Sequence, residues 1–421
     1  MTETSLIVVA VVVFLLALVA RPLGRSLLTG PMIFLFFGLA LDAAGGVRIA
    51  EAEQILFLLA EITLALVLFS DAATIDFERA RRNHIWPERM LVFGIPLAIG
   101  LGLAAGLVLL PGWPVWEVAV LAAVLAPTDA ALGKAVVSNP VVPQRIRQTL
   151  TIESGLNDGL VLPAVLFFAS VAVGGTHGGG GPDNWLVFAA EQIVFGAAAG
   201  ALVGGLGGFV MRLASDRGLT VNAFEGIGVL ALAATAYLSA ELLGGNAFLA
   251  AFVGGFAFGA VMRTRCPFVF DFMDTEGQLL IFGTFLLLGA TLLPEAMAAL
   301  RWEWLLLIAL SLFVVRPAAI WLSLLGTDAL PQTRLFLGWF GPRGLATALF
   351  GLIVLREYDL LTRGQDLLHV AVIATFASAI LHGISAAPAA RWIGRWEARV
   401  EGAEDGRGAA AGAPTRGKTT R

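Results

Sequence analysis

The chain alternates long apolar runs with short breaks rich in Arg, Asp, Gly and Pro, and thirteen of the runs come close to the roughly 20 helical residues that cross about 30 Å of hydrocarbon. The predicted spans are Ser5 to Ala20, Leu27 to Ala43, Gln54 to Asp71, Arg89 to Leu110, Val115 to Val137, Gln148 to Val173, Trp185 to Leu213, Asn222 to Leu243, Ala247 to Arg265, Gln278 to Leu293, Trp302 to Leu325, Thr333 to Leu355 and Leu367 to Trp392. Only Glu3 is charged ahead of Ser5, so the first run lacks the basic flank of a signal peptide and reads as an ordinary span. Residues 1–396 form one transmembrane domain in this reading. The tail, residues 397–421, is Gly, Ala, Thr and charge without apolar periodicity, and is expected to be disordered. The Gly-rich stretch Gly174 to Pro182 reads as a loop.

Composition agrees with a polytopic membrane protein: 58% of residues are hydrophobic, 14% are charged and the mean hydropathy is +0.85. That excludes a soluble enzyme, because polar residues are too few to cover a water-facing surface. A net charge of -4 argues against nucleic-acid partners. The single cysteine, Cys266, excludes an intrachain disulfide, and the four histidines show no zinc-ligand spacing, so no cofactor is expected. Basic residues gather on the cytoplasmic side of membrane proteins. With thirteen spans, twenty-one of the 27 basic residues fall on one side, which places the N-terminus outside and the tail in the cytoplasm of an inner or plasma membrane. Arg79, Arg81 and Arg82 read as a cytoplasmic face drawn to anionic lipid.

Spans one to six pair with spans eight to thirteen at an offset of seven, so each partner crosses in the opposite direction. This is an inverted-topology repeat, with repeat one over residues 5–173, a linker helix over 185–213 and repeat two over 222–392. Spans five and twelve match one another. The first contains Ala126-Pro127-Thr128-Asp129-Ala130 and the second Gly341-Pro342-Arg343-Gly344, each a proline beside an ionisable residue in an apolar stretch. Proline removes a backbone hydrogen bond, a loss tolerated at membrane depth only where protein or water compensates.

An ionisable side chain at mid-membrane costs roughly 2.5–3.5 kcal/mol, so each needs a partner or a purpose. Span six is the densest cluster, Glu153-Ser154-Gly155-Leu156-Asn157-Asp158-Gly159, and Asp158 lies about 15 Å along the helix from Gln148, near the midplane. Glu153 and Asn157 are four residues apart, as are Ser154 and Asp158, so carboxylate, amide and hydroxyl share a wall. Asp158, Asp129, the Thr128 carbonyl and the Ser154 hydroxyl would supply a small oxygen cage suited to a hard monovalent cation. A desolvated carboxylate can hold a proton or a cation. Competition between them, with alternating access, is antiport.

The motifs Pro127-Thr128-Asp129-Ala130, Glu153 to Gly159 and Gly341-Pro342-Arg343-Gly344 closely resemble the monovalent cation:proton antiporter superfamily, and within it the Asn-Asp branch of NhaP-like bacterial sodium/proton antiporters and sodium/proton exchangers. The resemblance implies an all-α fold of about thirteen transmembrane helices, two broken crossing helices, a core domain moving against a dimerisation domain, and a homodimer. By position it makes Asp158 the cation and proton site, with Asp129 the acid of the broken helix, Thr128 a carbonyl ligand and Ser154 a side-chain ligand. It makes Glu153 and Arg343 a buried ion pair, and Asn157 the replacement for a second aspartate, which implies electroneutral exchange of one proton per cation. Sodium is the expected cargo, with lithium and potassium as alternatives.

Weaker candidates stand apart. Glu61 in span three reads as an interhelical hydrogen-bond partner before a path-lining acid, and Asp71 as interfacial. Arg316 reads as a snorkelling side chain. His369 and His382 read as packing residues before pH sensors. Among rival functions, an intramembrane aspartyl protease fits poorly, because the aspartates follow Thr128 and Asn157 rather than Tyr and Gly-x-Gly. An uncoupled channel or ion sensor of the same fold has no selectivity-filter motif behind it. A sodium-coupled organic anion transporter would meet an acidic, repelling site.

Overall fold

The computed structural model describes residues 28–45, 52–75, 77–177, 185–262 and 267–411, with isolated positions between 7 and 18. Apart from those positions, span one lies outside the described residues, as does the end of the tail, 412–421. Spans two to thirteen appear in the expected order, and every regular element among the described residues is helical.

In the first half these are α1 (Gly30–Ala43), α2 (Ala52–Ala73), the short α3 (Phe77–Arg82), α4 (Ile85–Leu109), α5 (Val115–Val124), α6 (Ala130–Val137) and α7 (Gln144–His177). The linker is α8 (Trp185–Asp216). The second half holds α9 (Asn222–Leu242), α10 (Ala247–Met262), α11 (Pro267–Ala290), the short α12 (Leu292–Ala298), α13 (Trp302–Ser323), α14 (Pro331–Trp339), α15 (Leu345–Glu357) and α16 (Gly364–Ala411).

Two helix bundles result. In one, α2 packs on α10 and α11, α1 on α11, and α8 on α10; in the other, α5 packs on α4 and α7, α15 on α16, and α16 on α6. Thr63 of α2 and Thr284 of α11, the third members of the two repeats, share a hydrogen bond of 3.0 Å inside the first bundle.

The fourth members carry the same irregularity. A π-turn at Met90–Gly94 in α4 is followed by Pro96, and a π-turn at Ser311–Val315 in α13 is followed by Pro317. Ile95 N–H donates to Met90 O, and Arg316 N–H donates to Ser311 O. A proline ring clashes with the carbonyl four residues back, and widening that turn relieves the clash.

Helix α16 runs to Ala411, past residue 397 where the tail is expected to begin.

Candidate functional site

Spans five and twelve are each interrupted where their prolines predict. Helix α5 ends at Val124 and α6 starts at Ala130; α14 ends at Trp339 and α15 starts at Leu345. Each break leaves carbonyls and N–H groups without helical partners. The two breaks largely serve one another. Arg343 Nη1 donates to Ala126 O at 2.6 Å and to Pro127 O at 2.9 Å, placing a cation at the carbonyl end of α5. Asp129 Oδ2 accepts from Leu345 N at 2.6 Å and Oδ1 accepts from Leu132 N at 3.4 Å, placing a carboxylate at the amide ends of α15 and α6. Asp129 N donates to Pro342 O at 2.8 Å. Each charge sits on the helix end of opposite sign. A Cβ on Gly344 would overlap the Asp129 carboxylate, so this junction requires glycine.

Helix α16 secures the second break from the other side. Thr375 Oγ1 donates to Gly344 O at 3.1 Å, and Arg343 N donates to Ser378 Oγ at 2.7 Å. His382 Nε2 lies 2.8 Å from Trp339 O and Nδ1 lies 3.0 Å from Ser378 Oγ. Nδ1 also lies 3.0 Å from Ser378 O, so a backbone carbonyl stands beside each ring nitrogen. His382 packs in the core, as its first reading expects, and also bridges the two ends of the break.

Below the breaks lies the cluster on α7. Glu153 is fully buried and is held by Arg316 through two bonds, Nη1 to Oε1 at 2.7 Å and Nη2 to Oε2 at 3.0 Å. The expected pairing of Glu153 with Arg343 is therefore replaced by a pairing with Arg316, and the snorkelling reading of Arg316 is overturned. The physical reason is that the α5 carbonyls take Arg343, while the turn at Ser311–Val315 delivers a 3% exposed Arg316 inward. A Cβ on Gly341 would meet the Arg316 guanidinium, so the α14–α15 break also makes room for it.

Thr128 Oγ1 donates to Glu153 Oε2 at 3.1 Å, lies 3.1 Å from Ser154 Oγ, and accepts from Asn157 Nδ2 at 2.6 Å. Asn157 Nδ2 also reaches Glu153 Oε1 at 3.3 Å. Glu153, Ser154, Asn157 and Thr128 thus form one buried network. Asp158 is 1% exposed, and its Oδ1 has no hydrogen-bond partner among the described residues; neither has Asn157 Oδ1. Buried polar oxygens are normally partnered. Oxygens left open beside a carboxylate are the donor type that a hard cation takes.

A model of the sodium/hydrogen exchanger transmembrane family matches residues 7–392. The chain belongs to the sodium/hydrogen exchanger family. Its relatives include a protein of Alkalimonas amylolytica named K(+)/H(+) antiporter NhaP, 26% identical over 92% of this chain and 66% of its own length. Another is K(+)/H(+) antiporter NhaP2 of Shewanella sp. strain MR-4, 24% identical over 91% of this chain and 65% of its own. The chain therefore spans just under two thirds of the length of these relatives. The fold is similar to that of the sodium proton antiporter MjNhaP1 from Methanocaldococcus jannaschii, with a TM-score of 0.72, 20% identity, and coverage of 93% of this chain and 98% of that one.

Within this exchanger family member, the structure brings Thr128, Glu153, Ser154 and Asn157 into direct contact, with Asp158 next in sequence and Asp129 and Arg343 at the adjoining helix ends. Glu61 accepts from Tyr237 Oη on α9 at 2.5 Å, the interhelical bond its first reading expects. Two buried residues were not legible. Glu117 accepts from Thr362 N at 3.0 Å, Thr362 Oγ1 at 2.7 Å and Arg363 N at 2.7 Å, clamping the loop between α15 and α16 onto α5. Asn246 links α10 to α7. An acid two residues into an apolar span was the available signal for Glu117.

Proposed function

We propose that this protein is a secondary active transporter that exchanges a monovalent cation for H+ by alternating access, with the Asp158 carboxyl as the group for which the two compete. The observation that carries this reading is the contrast between two neighbouring acids. Glu153 is saturated by Arg316, Thr128 and Asn157, whereas Asp158, equally buried, keeps Oδ1 open. The first acid braces the site and the second is free to exchange its occupant.

In this reading Ser154, the Thr128 carbonyl and the Asn157 side-chain oxygen supply neutral donors, supported by the contacts of Thr128 Oγ1 with Ser154 and Asn157, and Asp129 adds a negative charge from the break. Asn157 serves as an amide because it donates to Thr128 and Glu153; an aspartate there would face Glu153 without a proton to give. One titrating acid supports one proton per cation, hence electroneutral exchange. Each pH unit of gradient then supplies about 1.36 kcal/mol per proton. Sodium is the first cargo to test, and the naming of two relatives as K(+)/H(+) antiporters puts potassium beside it, with lithium third. The reading includes a homodimer in an inner or plasma membrane, with the N-terminus outside, the C-terminus in the cytoplasm and a role in pH homeostasis.

The test is proteoliposomes loaded with a pH dye and challenged with each alkali chloride, with and without a potassium ionophore. Cation-driven proton movement that is indifferent to membrane voltage and absent from Asp158→Asn is the expected result. Exchange that persists in Asp158→Asn overturns the assignment, and proton flux without cation dependence replaces antiport by leak.

A further inference from the structure

The carbonyl that follows Asp158 belongs to Gly159, and four residues on stands Pro163, inside the same helix. Proline has no N–H, so the helical bond that would serve Gly159 O does not exist. The missing donor comes from the other bundle. Asn246 Nδ2 donates to Gly159 O at 3.0 Å. Asn246 is 1% exposed and fully engaged at the start of α10: its Oδ1 accepts from Leu249 N at 2.9 Å, and its N–H donates to Gln192 O at 2.8 Å. The same side chain therefore caps α10 and completes α7.

The packing around this bond leaves no slack. A Cβ on Gly155 would strike the Phe252 ring, and one on Gly159 would press on Leu249. Helix α7 thus lies directly on α10 over the turn that holds Asp158. Helix α10 packs chiefly on α2 and α8, whereas α7 packs on α5.

We propose that Asn246 is a positioning residue for the exchange site, tying the Asp158 turn of α7 to the neighbouring bundle through the carbonyl that Pro163 leaves unserved. This inference rests on the reading of Asp158 as the exchanging group. Without the tie, the Gly159 carbonyl is left in an apolar environment and the turn moves to satisfy it, shifting Asp158 with it.

The test is a pair of substitutions in the full-length chain, assayed in proteoliposomes with sodium and potassium. Asn246→Ser keeps a residue that caps helices well but is too short to reach Gly159. It should raise the half-saturating cation concentration about fivefold, the equivalent of one net hydrogen bond. Pro163→Ala returns an N–H to the helix at the position that serves Gly159 O. In the Asn246→Ser background it should bring the half-saturating concentration back to the value of Pro163→Ala alone. A stability effect without this rescue would mark Asn246 as a packing residue and overturn the proposal, as would an unchanged cation dependence in Asn246→Ser. Loss of exchange in the unsubstituted protein would instead remove the reading of Asp158, so the two failures are distinct.

Discussion

Arg316 grips Glu153 with both terminal nitrogens of its guanidinium, at 2.7 and 3.0 Å, across 163 residues of sequence and with both side chains out of contact with solvent. Burying two charges is expensive, and only the bidentate geometry and the further bonds from Thr128 and Asn157 offset it.

Removing one member should therefore cost more than removing both. Arg316→Leu is expected to lower stability by about 3–5 kcal/mol, because it strands the Glu153 charge. Arg316→Leu with Glu153→Leu should be less destabilised than the single substitution. Thermal unfolding in detergent reads the difference, and a strictly additive pair would show that the contact carries no coupling.

The glycine at the α15 junction should be intolerant of any side chain. Gly344→Ala is expected to displace the Asp129 carboxylate from Leu345 N and to lower stability by about 1–3 kcal/mol, the range for an unsatisfied buried group. Asp129→Ala should be comparably destabilising, and Asp129→Asn, which retains an acceptor oxygen, less so. Equal stability of all three with the native protein would contradict the capping role.

Glu117 makes a different kind of contact, since its three donors all come from the loop between α15 and α16. Glu117→Ala should speed hydrogen exchange at the Thr362 and Arg363 amides by about tenfold or more while leaving α7 protected, given that hydrogen bonds to a charged acceptor are worth about 1.5–3 kcal/mol. Unchanged protection at these two amides would show the loop to be held by other means.

At the membrane edge, Asp328 binds Arg145 through both oxygens and accepts from Trp86 Nε1 at 2.7 Å, with the Arg145 guanidinium stacked 3.6 Å from the Trp86 ring. The Arg145 hydrogen bonds hold the Asp328 carboxyl below its ordinary range. Its contribution to stability is thus present above the unfolded value of about 4 and is lost as pH falls through the lower folded value. Asp328→Asn should be less stable than the native protein at neutral pH, by a small amount because the carboxylate is largely solvated, and the gap should close in acid. A gap that widens on acidification would reverse the sign.

Span order and the two breaks were legible because apolar length and proline are local signals, and spans two to thirteen and the breaks after Val124 and Trp339 follow them. The partner of Glu153 was not. Depth can be counted along a helix, but facing cannot when a π-turn shifts the register just before the residue in question, as at Ser311–Val315 ahead of Arg316. Arg343 is buried as its sequence context predicts, but the carbonyls exposed by one broken helix attract a cation as effectively as a carboxylate does, and they hold it in place of Glu153. Asn246 left no trace, since its role depends on a proline in a distant helix.

The matching kinks of α4 and α13 set Ile95 in one half where Arg316 stands in the other, each just after its π-turn and just before its proline. The duplicated backbone shape is thus occupied by hydrocarbon on one side and by a charge on the other. An interchange of the two halves would therefore set a charge where a hydrocarbon now packs, so the repeat is one of backbone shape and not of chemistry.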